Sequence, residues 1–186
     1  MGDLLGDRLP DELVRALGDE ALAAPEQPAF PLVTTDEDGA PRICMVSAGE
    51  LLVRDERRLR VALWRGTRTA RNLGRGGTAL LWAVSPGSVI YVRAMPIRLT
   101  NPEPAGLECF ELAVTSVTAD VHAGMPVTGG ITFRSDQPDH AGTVTGWQRQ
   151  RKLLARATAT TNTGVGAEYR VIGPDLGFRR RSAARR

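Results

Sequence analysis

Cysteine is scarce in this 186-residue chain: there are two, Cys44 and Cys109, and neither belongs to a C-x-x-C pair. That excludes a disulfide framework, a zinc ribbon and a dithiol redox motif, and makes a reducing cytoplasm the expected location. Histidine is equally rare. His122 and His140 show no regular ligand spacing, so neither a metal site nor a histidine base is expected. Aromatic residues make up only 5%, too few for the stacking platforms of a nucleic-acid-binding barrel. The most apolar run, residues 78–84 (TALLWAV), is far short of the ~18 residues a membrane span requires. The acidic start MGDLLGDRLPDE is unlike the basic start of a signal peptide. The motifs G-x-x-x-x-G-K-[ST], H-E-x-x-H and G-x-S-x-G are missing, and Gly164-Val165-Gly166 lacks the third glycine of a dinucleotide fingerprint.

What charge the chain has is unevenly placed. The net charge is +3, but residues 179–186 (RRRSAARR) hold five arginines and no acid, so the rest carries −2. A weakly acidic body argues against nucleic acid as the partner. The tail is read as a solvated end, with a polyanion contact as the alternative. Lys152 is the single lysine.

The length suits one domain over residues 1–186. Residues 9–23 predict a cover helix, with Pro10 in the first turn, Asp11 and Glu12 at the positive end, and Leu13, Leu17 and Ala21 on one side. Residues 28–135 then read as strands. FPLVTT (30–35), the turn Asp36-Glu37-Asp38-Gly39 and PRICMVS (41–47) form a hairpin signal. The three acids are read as turn chemistry, with cation binding as the alternative. LRVALW (59–64), TALLWAV (78–84), residues 89–99, residues 107–121 and ITFR (131–134) follow as strands, Pro96 suggesting a bulge or an edge. In residues 140–156, Val144, Trp147 and Leu154 share one face while Arg149, Lys152 and Arg156 face water, which predicts a packing helix. TATTNTGVG (158–166) is loop-like and residues 169–172 suggest a short strand. The class expected is mainly β, a barrel or barrel-like α+β fold.

The most informative segment is residues 64–73, WRGTRTARNL. At the end of a strand it gathers two hydroxyls, the free amides of a short helix start and several guanidinium groups, the chemistry a phosphate dianion needs. Local chemistry fits an exposed basic turn that caps its helix equally well.

The order FPLVTTDEDGAPRICMVS, LRVALWRGTRTARNL, TALLWAV resembles the FMN-binding split β-barrel family typified by pyridoxamine 5'-phosphate oxidase. The likeness spans about residues 28–99. It rests most on the D-G-x-P turn (Asp38, Gly39, Ala40, Pro41) and on Gly66 to Thr69 followed by Asn72-Leu73. The resemblance implies a homodimer of six-stranded Greek-key split barrels with flanking helices, binding FMN between protomers and acting on a small-molecule substrate. It places Cys44, Met45, Val46 and Ser47 beneath the flavin ring, Leu63 and Trp64 beside the ribityl chain, and Thr67, Arg68 and Thr69 at the phosphate. Ser88 and Val89 would open a strand near the flavin, whereas Trp82 is read as core.

The chain departs from the vitamin oxidases where they carry cations: Cys44, Gly49 and Thr69 stand in those places, and residues 177–186 hold no Arg-x-His. Oxidation of a phosphorylated vitamin is therefore not expected. The function implied is an FMN-dependent oxidoreductase of unknown substrate, with no catalytic side chain assigned. The alternatives are the same fold carrying a deazaflavin or haem, or a non-catalytic flavin-binding stress protein.

Overall fold

The computed structural model describes residues 2–24, 26–101, 106–134 and 140–159. The basic tail, the strand expected at 169–172 and most of 158–166 lie outside them.

Among the described residues, ten strands build the fold. The hairpin formed by β2 (Glu26–Thr35) and β3 (Pro41–Ser47) keeps the expected turn, with Gly39 at φ +84°. The main path of the sheet runs β3-β2-β6-β7-β8-β5-β4, where β4 is Leu51–Asp55, β5 Arg58–Trp64, β6 Ala79–Ser85, β7 Ser88–Thr100 and β8 Leu107–Val121. Every recorded pairing is antiparallel. β3 and β4 are consecutive in the chain yet stand at opposite ends of this path, joined only by a 3-10 turn at Ala48–Glu50. The sheet must therefore curl until its ends meet at that turn. The result is a mainly antiparallel α+β split barrel.

Burial follows the curl. On β5, Leu59, Val61 and Leu63 join a core with Phe30, Leu32, Leu81, Ile90, Val92 and Phe110. Ala62 joins a second cluster with Leu99, Leu107, Cys109, Leu153 and Leu154. Alternation along one strand thus serves two layers, the barrel interior and helix α4 (His140–Arg156) on the outside. Arg60 lies on the outer side. Its Nε donates to Glu111 Oε2 at 3.1 Å, and its Nη1 to the carbonyls of Leu154 at 2.7 Å and Ala157 at 2.8 Å. A buried guanidinium so caps the last turn of α4, where helix carbonyls lack internal partners.

Several expectations need correction. The cover helix of residues 9–23 is two short helices, α1 (Asp11–Ala16) and α2 (Asp19–Leu22), separated at Leu17-Gly18. Gly18 is extended, at φ −70° and ψ 169°, and a Cβ there would stand 3.0 Å from the Arg15 carbonyl oxygen. The break lets Leu9, Leu13, Leu17 and Leu22 all enter the core. β4 and the exposed N-terminal strand β1 (Asp3–Gly6), which pairs with β8, were not expected. Thr158–Ala159, read as loop, forms β10 against the end of β7. Of the two readings of Pro96 the edge holds, since Pro96 pairs with Leu112 of β8 while the β6 pairing ends at Ala79↔Ala94; the bulge lies on the opposite strand, where Thr115 of β8 is the extra residue between the pairs Arg93↔Ser116 and Ala94↔Val114. The last barrel strand is β9 (Thr132–Arg134), paired with β2. Among the described residues no helix is long and apolar enough to cross a membrane.

Candidate functional site

The site begins where β5 ends. Gly66, at φ +78°, turns the chain out of the strand, a conformation that an L side chain strains. Thr67 then caps α3 (Arg68–Gly74), its Oγ1 accepting from the Ala70 amide at 3.3 Å. The first amides of α3 have no carbonyl four residues back within the helix to bond. Arg71 returns to the turn, donating from Nη1 to the Gly66 carbonyl at 2.6 Å.

The tip of the β2–β3 hairpin faces this helix. Asn72, buried, donates from Nδ2 to Asp36 Oδ1 at 2.8 Å and to Thr34 Oγ1 at 3.0 Å. Arg68 Nη1 pairs with Asp36 Oδ2 at 3.6 Å. Arg75 Nη1 donates to Glu37 Oε1 at 2.9 Å, and its Nη2 to the Thr35 carbonyl at 3.1 Å. Asp36, Glu37, Asp38, Arg68, Arg71, Asn72 and Arg75 line a hollow of about 340 Å³. Its charges alternate in space, three carboxylates from one element against three guanidiniums from another.

The nine residues expected at the cofactor fall into two groups. Met45, Trp64, Thr67 and Arg68 are exposed, Trp64 at 65%. Val46, Ser47, Leu63 and Thr69 are buried, and Cys44 is half-buried. Leu63 belongs to the barrel core, so only its backbone lies at the strand end. Ser47 is committed elsewhere: its amide and its hydroxyl both bond Glu50 Oε2, at 2.7 and 2.9 Å, capping the 3-10 turn. Thr69 turns inward to Cys44. Burial pushes the Cys44 thiol up, and a hydrogen bond from Thr69 offsets part of that. The structure therefore brings Arg68 and Thr67 to the rim and places Thr69 against β3.

Two further expectations change. Trp82 is not in the core cluster; half-buried, it stacks on Tyr91 with ring centroids 6.4 Å apart. Gly49 has a packing reason, because a Cβ there would sit 2.2 Å from the Trp147 ring. Ser88 and Val89 do open β7, opposite Ser85 and Val84. The clamp of Asn72, Asp36, Arg75 and Glu37 escaped the motif reading. Its signal was arginines at 68, 71 and 75 on one helix, complementary in charge to the acids at 36–38.

Comparison with known proteins adds the family context. No family model matches the chain. The uncharacterized protein YclD of Bacillus subtilis (strain 168) is 30% identical over 150 residues, covering 80% of this chain and 96% of YclD. Among solved structures, a Lactobacillus delbrueckii protein named as a candidate pyridoxamine 5'-phosphate oxidase superposes with a TM-score of 0.50 at 19% identity, covering 63% of this chain and 98% of its own.

Proposed function

The chain belongs to the family of YclD and folds as a pyridoxamine 5'-phosphate oxidase-like split barrel, and from that premise we propose that it is an FMN-dependent oxidoreductase working as a homodimer in the cytoplasm. The observation that carries the reading is the convergence at the end of β5. There a glycine turn, a threonine-capped helix start and the exposed Arg68 stand beside β3, which pairs with β2 alone.

These residues suit the cofactor's parts. The amides opening α3 and the Arg68 guanidinium are donors for a phosphate dianion. The outer edge of β3 leaves backbone donors and acceptors for the polar rim of a flat ring, and Met45 presents a modest side chain beside it while the Cys44 side chain points inward. Trp64, exposed at the strand end, can cover the linking chain. Bound FMN would supply two-electron chemistry to a small-molecule substrate, while the protein holds, orients and shields it. Thr67 and Gly66 shape the phosphate turn, and Thr69 with Cys44 braces α3 against β3.

Absorption of the purified protein and calorimetry with FMN test the reading. The expected result is a flavin spectrum and about one FMN per protomer. Arg68→Ala should weaken FMN roughly 10- to 100-fold, since a charge-assisted contact is worth about 1.5 to 3 kcal/mol. A deazaflavin or haem spectrum, or no uptake of FMN, would overturn it.

A further inference from the structure

Arg68, which the proposed function assigns to the cofactor phosphate, is already engaged by Asp36. The two partners differ in freedom. Asp36 is held by its own hairpin, its amide donating to the Ala40 carbonyl at 2.8 Å and its carbonyl accepting from the Gly39 amide at 3.0 Å. Its Oδ1 also accepts from Asn72, and its side chain is 20% exposed against 60% for Arg68. Arg68 is the long, exposed member and Asp36 the anchored one. A phosphate at the start of α3 must draw Arg68 from a carboxylate that stays in place. Around the hollow, Glu37 faces Arg75, Asp38 is spent on the Ala40 amide at 3.0 Å, and Arg71 is turned to Gly66. Within the hollow Asp36 is thus the carboxylate that stands against Arg68, while Glu108, whose Oε1 accepts from the Gly66 amide at 3.3 Å, is a second anion at the turn.

We propose that Asp36 is a specificity-determining counter-ion, competing with the ligand's phosphate for Arg68 and so weakening phosphate-bearing ligands relative to the same ligand without phosphate. This rests on the flavin reading for the identity of the ligand, but the competition itself concerns Arg68 and any phosphate. The test compares FMN with riboflavin, which lacks the phosphate, in wild-type protein and in Asp36→Asn. The asparagine keeps an oxygen for Asn72 and removes the charge.

The expected result is FMN binding about 3- to 10-fold tighter in Asp36→Asn at low salt, shrinking as salt screens the site, with riboflavin unchanged. The gain should vanish in an Arg68→Ala background, because the two effects share one partner. Glu56→Gln, an exposed carboxylate at the β4–β5 turn, at the opposite end of β5 from the hollow, should give no such gain. Unchanged or weaker FMN binding, or a parallel fall for FMN and riboflavin, would show that Asp36 only braces Asn72 and would overturn the proposal. Asp36→Ser, which also removes the charge, serves if the asparagine variant does not fold. A wild-type chain that binds no flavin defeats the flavin reading separately. Inorganic phosphate titrated against wild type and Asp36→Asn then decides: tighter binding by the variant supports the competition, and equal binding overturns it.

Discussion

Cys109 sits at 1% exposure between β8 and α4, among Ala62, Leu99, Leu153 and Leu154. Burial pushes its thiol up to about 11, although nearby Arg60 pulls it back in part. An unfolded thiol ionises near ~8.5. Between those values the unfolded chain has lost a proton that the folded chain keeps, so stability must fall as pH rises through this window. The contribution is intact below ~8.5 and declines toward 11, by on the order of 3 kcal/mol over the range. Urea unfolding of wild type and Cys109→Ala at several alkaline pH values checks this. The variant should start less stable and lack that part of the decline, whereas parallel curves would refute the assignment. Residue-scale packing was mostly hidden in the sequence. Gly49 stood out only as a missing cation, because the Trp147 ring that requires it comes from a helix about a hundred positions away. Thr69 read as a phosphate hydroxyl, because nothing local shows which side of a two-turn helix meets β3.

At the scale of elements, Arg60 holds α4 against the barrel. Its guanidinium bonds Glu111 and the carbonyls of Leu154 and Ala157, and both side chains of the pair are largely buried, at 9% and 12% exposure. Removing one partner of such a pair leaves the other charge buried and uncompensated. Arg60→Met should therefore cost about 3 to 5 kcal/mol. Denaturant titration gives the loss, and hydrogen exchange should show the amides of residues 150–157 exchanging faster while the β2–β3 hairpin stays protected. Uniform acceleration across the barrel would mean that α4 is not a separable layer. Elements were legible where period and punctuation agreed. The hairpin signal of FPLVTT and PRICMVS around the Asp-Gly turn predicted β3 to the residue, and the apolar spacing of Val144, Trp147 and Leu154 predicted α4. The split of α1 from α2 was not legible, because one glycine at position 18 does not interrupt the spacing of Leu13, Leu17 and Ala21. Nor was β1, whose four residues are all exposed and carry no alternation. Nothing in the strand LRVALW marks Arg60 out, and only the tertiary position of α4 makes it a cap.

For the whole molecule, the question is what meets the outer face of the sheet. Register places Ile43, Val33, Leu80 and Arg93 in one cross-strand row, with the pairs Met45–Pro31 and Trp82–Tyr91 two residues along their strands. The row between them, Cys44, Leu32, Leu81 and Val92, points into the barrel. Ile43 is 56% exposed, and Met45 and Met95 are each 40% exposed, on a face where the Trp82 and Tyr91 rings already stack. An apolar face of this kind beside a sheet edge is suited to association. It also adjoins the strand that the proposed flavin site uses, so a second copy seated here would shield the ring that one barrel leaves open. The expected outcome is a dimer by light scattering at micromolar concentration. Ile43→Glu with Met95→Glu, neither of them assigned to the cofactor, should yield a folded monomer, because both positions face water in the single chain and the substitutions cost the barrel little. FMN affinity should fall in that variant although its circular dichroism remains that of a folded barrel, since the cofactor loses the covering copy rather than the phosphate turn. A wild-type monomer that retains FMN, or a charged variant that stays dimeric, would show that this face is not the interface and that each barrel holds its ligand alone.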